Sequence, residues 1–409
     1  MKILVIIGEC VQRNTSANLC HLAYLRGMID AGHDVTLLSA DGRDYELDPS
    51  MVIPGEVKQV TYYGVSLYEK LSLRKKQTYG PDTGTPKAGR EKEGHSPNFK
   101  SKVIQRVKRM ILASYGVHGI YGKFVKKAQK YRFDEKFDYI ISISTPVTGH
   151  LLAHNLIKAR HIRGRHWIQI WEDPWYSDAF GFNKKNKIYK EEGRLLSFAE
   201  RVCYVSPLTL KNQKKLFPES AHKMYWQPLP YYYKGKGTTK KEDTDRGNVY
   251  GYFGDYAPIV RNLEPFYKAA VQEGIEVNIC GNPNDLFEST EHIHIFPRLS
   301  LEQLEPVEDR SNVLIFLCNR KGGQIPGKIY QYSATTKTIL FILDGTTEER
   351  EALRAYFEPL GRYVFCLNTV EDIRKAISDI ETGSLGAVKN EPIEEFNPRE
   401  IVRRILEGK

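Results

Sequence analysis

Short apolar runs rich in Ile, Val and Leu recur along this chain of 409 residues. Most are followed by a stretch of helical periodicity. The first series runs Lys2–Ile7, Val35–Leu38, Asp138–Ile143, Trp167–Trp171 and Val202–Val205. The second runs Val249–Phe253, Glu276–Cys280, Ile293–Phe296, Val313–Leu317, Thr338–Leu343 and Val364–Leu367. Continuous runs this short suit strands buried on both faces, and strand–helix alternation makes such strands a parallel, doubly wound sheet. Two series predict two such α/β sheets. Between them, residues 234–247 (KGKGTTKKEDTDRG) lack large apolar side chains, as linkers do. The expected organisation is a first domain over 1–233, a linker over 234–247 and a second domain over 248–396. The end, 397–409, reads as a helix that packs back on the first domain. Asn397 can cap it with Pro398 at its first position, and Ile401, Val402, Ile405 and Leu406 form its apolar face.

Composition narrows the function classes. Hydrophobic content of 41% and charged content of 27% fit a soluble globular protein. No apolar run approaches the roughly 18 residues of a membrane span. Met1 to Gly8 reads as a first strand rather than a signal peptide, so a cytoplasmic location is expected. The six cysteines form no C-x-x-C pair, which suits reduced, partly buried thiols. A net charge of +10 favours acidic partners such as phosphorylated substrates, anionic lipid headgroups or nucleic acid. Nucleic acid needs exposed aromatics interleaved with the cations on a groove, and no such platform is present, so no nucleic-acid partner is expected. Residues 99–130 carry Lys100, Lys102, Arg106, Lys108, Arg109, Lys123, Lys126, Lys127 and Lys130 without an acid. Val103, Val107, Met110 and Ile111 recur there at helical spacing. A packed helix with a solvated basic face is one reading; peripheral contact with anionic membrane is the sharper one.

The loops after the strands carry the polar residues. Gly8 alone in the first turn is not the G-x-G-x-x-G of dinucleotide binders. The loop Gly8 to Ser16 offers Asn14 and Ser16 to hydroxyl groups. Ser144-Thr145-Pro146 ends the third run, and the next helix carries His150 and His154 at i, i+4. That spacing can hold a metal, but no third ligand is evident, so none is expected. Glu172 and Asp173 stand at the carboxyl end of a strand, where open α/β sheets bind ligands. Asp173 is the candidate acid–base carboxylate, against a structural cap in an Asp-Pro turn; Glu172 is the reserve. From Gly322 to Leu343 the chain reads as loop, helix and strand, with Lys328 at the helix start. Free N–H groups and a helix dipole there favour an anion, against an ordinary turn with a solvated lysine. Asp243-x-Asp245 lies in the charged linker and is attributed to chance.

Several stretches together carry a resemblance. These are Ala31-Gly32-His33-Asp34-Val35, Phe137 to Pro146, Trp167 to Trp175 with its Asp173-Pro174-Trp175, and Val202 to Pro207. In the second half they are Gly251 to Gly254 with Arg261-Asn262-Leu263, and Pro326 to Tyr332. In this order over nearly the whole chain they resemble glycosyltransferase family 4, bacterial surface-polysaccharide enzymes with a DPW signature. The resemblance implies the GT-B fold, two Rossmann-like domains facing across a cleft. It implies retaining transfer of a sugar from a nucleoside diphosphate sugar to a glycan or lipid-linked acceptor, with no cofactor and no metal. It places the donor at Gly254, Arg261, Gly281, Gly327, Lys328, Ile329 and Gln331, and the acceptor at Asn14, Ser16, Thr145 and His150. The pattern departs in places. The family's paired glutamates read Gly323 and Gln331, and one of its diphosphate cations reads Asp255. A non-catalytic partner subunit, or a sugar-nucleotide epimerase of similar fold, are the alternatives.

Overall fold

The computed structural model describes residues 1–66, 68–72, 116–178, 186–232, 247–283, 285–321, 323–386 and 388–408. The first domain holds β1 (Lys2–Ile7), β2 (Asp34–Ala40), β3 (Lys58–Tyr62), β4 (Lys136–Ser144), β5 (Arg163–Trp171), β6 (Arg201–Tyr204) and β7 (Met224–Trp226). Its helices are α1 (Ser16–Asp30), α2 (Gly122–Ala128), α3 (Thr148–Lys158), α4 (Asn186–Phe198) and α5 (Pro207–Leu216). The second holds β8 (Val249–Phe253), β9 (Glu276–Cys280), β10 (Ile293–Phe296), β11 (Val313–Leu317), β12 (Thr338–Leu343) and β13 (Val364–Leu367). Its helices are α6 (Glu264–Glu273), α7 (Leu301–Arg310), α8 (Lys328–Tyr332), α9 (Thr347–Phe357) and α10 (Val370–Glu381); α11 (Pro398–Glu407) follows.

The sheets have strand orders β3-β2-β1-β4-β5-β6-β7 and β10-β9-β8-β11-β12-β13. Every pairing is parallel. In each sheet the order reverses beside the first strand, between β1 and β4 and between β8 and β11. Such switch points open a crevice at the carboxyl ends of the strands.

Alternation along β1 shows why a continuous apolar run is needed. Leu4 and Ile6 pack on one face of the sheet with Trp171, Leu152 and Leu196. Ile3, Val5 and Ile7 pack on the other with Tyr24 and Leu25 of α1. Each such side chain contributes about 1.5–3 kcal/mol on full burial. The second face belongs to a core that does not stop at the domain boundary. It continues through Leu229 and Phe396 to Phe316, Ile329 and Tyr330. All six cysteines are buried and free.

The last helix packs on the first domain, against α1. Its late carbonyls are met from that domain: Arg201 Nη1 donates to Leu406 O at 2.8 Å and the Tyr225 hydroxyl to Ile405 O at 2.9 Å. Asn397 accepts from the Arg399 N–H at 3.0 Å, the cap expected from sequence.

Some elements differ from expectation. The edge strand β3, KQVTY, is largely polar and exposed, so its sequence shows no apolar run. The helix at Lys328 has only five residues. Its Ile329 N–H is taken by Pro326 O and its Tyr330 N–H by Gly327 O, so these two do not face an anion. Residues 233–246, most of the expected linker and its Asp243-x-Asp245, lie outside the described residues, as do 99–115 of the basic stretch. Within the rest of that stretch, α2 buries Phe124, Val125 and Ala128 and exposes Lys123, Lys126 and Lys127.

Candidate functional site

The carboxyl ends of the two sheets face each other, and loops from both switch points meet between them. On the first domain the loops follow β1, β4 and β5. Glu9, just beyond β1, is buried and 3.3 Å from Arg13 Nη1. Burial pushes its carboxyl above the usual range, against the opposing pull of His21 and Arg13. His21 enters from the first turns of α1 and is wholly buried. Asn18 Nδ2 donates to the carbonyls of Cys10 and Arg13, each at 3.0 Å. That turns its Oδ1 toward His21 Nδ1, also at 3.0 Å, and puts a proton on that nitrogen. His21 Nε2 then faces Glu172 Oε2 at 3.2 Å, off the line of a good hydrogen bond. Burial is the largest single influence and would lower the His21 pKa, but the charge and hydrogen bonding of Glu172, with Glu9 and the Ser144 backbone adding, together raise it. Glu172 is raised as well, by burial first, with His21 opposing.

Asp173 is open to the cleft by area, yet protein from both domains crowds around it. Desolvation is the main reason its carboxyl is pushed up to about 6, with the charge of Glu172 adding. Its open face keeps water in reach and argues against a larger rise. Thr145 Oγ1 donates to Asp173 Oδ2 at 3.4 Å, and the Thr145 N–H to Glu172 Oε2 at 3.4 Å. Below this loop Glu192 of α4 accepts the Tyr176 N–H at 2.6 Å, and burial raises its carboxyl to about 7.

On the second domain the loops follow β8 and β11. Gly254 closes β8, its N–H on Cys280 O at 2.9 Å. A Cβ on Gly281 would collide with the Gly254 carbonyl, so this approach of two strand ends requires glycine. The Arg261 guanidinium lies beside Gly254. Its Nε donates to Asn319 Oδ1 at 2.8 Å and its Nη1 to Asp255 O at 3.1 Å. Asp255 itself is turned aside: it accepts the Asn282 N–H at 3.0 Å and meets Arg298 at 3.2 Å. So a second guanidinium stands close to where the motif lacks a cation. Gly323 has φ +68°, and a Cβ there would lie 2.7 Å from Leu208 Cβ. The glutamate of the resembling family has no room at this position.

The expected site residues divide accordingly. Glu172, Asp173, Thr145, Gly254, Arg261 and Gly281 are at strand ends of the two switch points. Asn14 is tied to Asp48 at 2.8 Å, and Ser16 is exposed at the start of α1. Gly327 lies between the domains, near Cys20 and Leu229. Lys328 Nζ is 3.8 Å from Glu308 and over the Tyr332 ring, so its charge is already shared. Ile329 is in the core. Gln331 Oε1 is buried with no donor among the described residues. His150 needs correction: it is fully buried, hydrogen-bonded to Ser142 at 2.8 Å and packed on Trp171, and burial lowers its pKa to about 3. It is a neutral core residue, not an acceptor ligand. His154 stacks on Phe198. Sequence reasoning missed Glu9, Arg13, His21, Asn319 and Gln324; a lone histidine in the first turns of α1 was the available signal.

A cavity of about 860 Å³ lined by Met1, His33, Tyr139 and Arg403 lies at the opposite, amino end of the first sheet. Open α/β sheets do not bind their ligands there.

No protein-family model and no curated protein matches this sequence. Solved structures do. Sucrose-phosphate synthase from Thermosynechococcus elongatus is similar at a TM-score of 0.56 and 11% identity, over 99% of this chain and 94% of that one. A glycosyltransferase from Rickettsia africae is similar at 0.52 and 10% identity, over 100% and 93%. The shared feature is the fold: two Rossmann-like parallel sheets facing across a cleft, the GT-B arrangement.

Proposed function

We propose that this chain is a glycosyltransferase that moves a sugar from a nucleoside diphosphate sugar to a hydroxyl of a glycan or lipid-linked acceptor, with retention at the anomeric carbon. The observation that carries the reading is the pairing of the two switch points. One gathers Glu9, Glu172 and Asp173; the other sets Arg261 beside the backbone of Gly254. In the transfer, the bond from the anomeric carbon to the diphosphate breaks and the acceptor oxygen bonds to that carbon. The hydroxyl proton leaves toward Asp173, and Arg261 meets the charge on the departing diphosphate. The nucleotide ribose lies near Gln331, whose buried Oε1 can accept from its hydroxyls. Charge neutralisation falls to protein cations, with no resident metal in this reading. The setting is surface-polysaccharide synthesis in the cytoplasm, at the inner membrane face, where exposed Lys123, Lys126 and Lys127 would meet anionic lipid.

A thermal-shift panel of nucleoside diphosphates tests the donor site. At a hundred times its dissociation constant a ligand stabilises by about 2.7 kcal/mol. Transfer assays with mixed glycan and lipid-linked acceptors follow. A parent protein that binds no nucleoside diphosphate overturns the reading. The pairing of Lys328 with Glu308 and the crowding at Gly323 favour one second reading, a non-catalytic partner subunit. Binding without transfer to any acceptor would support it.

A further inference from the structure

The acceptor-side carboxylate takes its hydrogen bond from the other domain. Gln324 Nε2 donates to Asp173 Oδ1 across the cleft, over 151 residues of sequence. The loop that carries Gln324 is fastened at its base. Asn319 Nδ2 donates to Gln324 O at 3.1 Å, while Asn319 Oδ1 accepts from Arg261 Nε at 2.8 Å. The Arg320 N–H donates to Val260 O at 2.8 Å, binding this loop to the one that presents Arg261. On its far flank Gly323 O accepts from the Ser206 hydroxyl at 2.6 Å. A hydrogen-bonded run thus joins the guanidinium of one domain to the carboxylate of the other. Within its own domain, Asp173 is met by Thr145 only at 3.4 Å, the loose end of hydrogen-bond range.

We propose that Gln324 is a positioning residue for the reaction: from the donor domain it orients the Asp173 carboxylate, so the acceptor side is complete only when the domains are closed on each other. The proposal rests on the glycosyltransferase reading above. A carboxamide N–H aimed at a carboxylate favours its ionised form and fixes the direction of its free lone pairs. The ionisable groups facing Asp173 are Glu172 and Asp178 on its own loop and Cys20 on α1, with His21 behind Glu172.

The test compares Gln324→Ala, Gln324→Glu and Ser206→Ala. Asp173 is titrated directly by carboxyl carbon NMR, its signal assigned by its loss in Asp173→Asn. The pH–rate profile and nucleoside diphosphate affinity are measured alongside. Gln324→Ala should raise the Asp173 midpoint by about one pH unit, a tenfold change in proton affinity. The acid limb of kcat should move with it, while nucleoside diphosphate affinity stays within about twofold. Gln324→Glu should move it further, because two carboxylates then compete to stay neutral. Ser206→Ala cuts the neighbouring domain contact and should leave the titration alone. A parent-like Asp173 titration in Gln324→Ala overturns the proposal. So does an equal shift in Ser206→Ala, which would make Gln324 a mere latch between domains. If the parent shows no transfer and binds no nucleoside diphosphate, the functional reading has failed, yet the NMR titration still decides whether Gln324 governs Asp173.

Discussion

The crevice between β1 and β4 and the crevice between β8 and β11 occupy equivalent places in two sheets of similar order. The first is lined by carboxylates packed into protein, Glu9 and Glu172, with Asp173 at the rim. The second is lined by backbone and by a guanidinium satisfied through Asn319 and a carbonyl. Burial acts differently on the two. A buried carboxylate can take up a proton, and these three are all raised. A guanidinium keeps its charge and must find acceptors instead. The parallel sheet supplies the place for a ligand; in the function proposed above, the residue types send a proton-bearing hydroxyl to the first crevice and an anion to the second.

If the halves are specialised in this way, damage to one should spare the other. Asp173→Asn should lower transfer at least about a hundredfold, the usual worth of a positioned acid–base group, with nucleoside diphosphate affinity unchanged. Steady-state kinetics beside calorimetry checks this, and lost nucleotide affinity would blur the division. The parent's transfer rate should fall about tenfold per pH unit below about 6, because the protonated form of Asp173 cannot accept a proton. That limb should vanish in Asp173→Asn.

The mirror experiment is Arg261→Ala. A charge-assisted contact is worth about 1.5–3 kcal/mol, so nucleoside diphosphate affinity should weaken roughly ten- to a hundredfold by calorimetry. The Asp173 titration should stay within half a unit of the parent's, to order of magnitude. Unchanged affinity would put the phosphates elsewhere.

His21→Gln sharpens the acidic side. It leaves the Glu172 carboxyl buried with the Thr145 N–H at 3.4 Å as its remaining described donor. A cost of about 1–3 kcal/mol is expected in denaturant unfolding. The sign follows from the raised folded pKa of Glu172. Without His21 the folded carboxyl keeps a proton that the unfolded chain has lost by pH 5, whereas in the parent the unfolded histidine's own proton balances it up to about pH 6.5, so the cost should grow from pH 5 to about 6.5 and level off above. An equal cost at both ends would show that no proton is shared with Glu172.

Gln331→Ala is the smallest expected effect. Its bonds to a ribose are neutral, worth about 0.5–1.5 kcal/mol, so affinity should fall no more than roughly tenfold. Gln331→Glu should preserve or tighten binding. A larger loss in Gln331→Ala than in Arg261→Ala would reverse the assignment of charge to that half.

The two sheets were legible because each buried strand needs a continuous apolar run, and such a run needs no partner to be recognised. The edge strand β3 was not, because its exposed positions carry Lys, Gln and Thr. Asp173 could be named from its place after a strand, and Arg261 from the resemblance of the stretch that carries it. His21 and Gln324 could not, since their meaning comes from contacts over long sequence separations. His150 misled for the converse reason: it follows the same strand end as Thr145, but its helix turns it into the core. Lys328 looked free in sequence because Glu308 lies on another helix.

Where the chain returns toward the first half, it touches that half's last described stretch before the linker: the Tyr231 N–H donates to Phe396 O at 3.2 Å. The shared core runs on beside this contact, through Leu229 and Phe396 to Ile329 and Tyr330. The contact between Gln324 and Asp173 joins the same two halves by a second route, so a change in how they sit would be felt at that carboxylate.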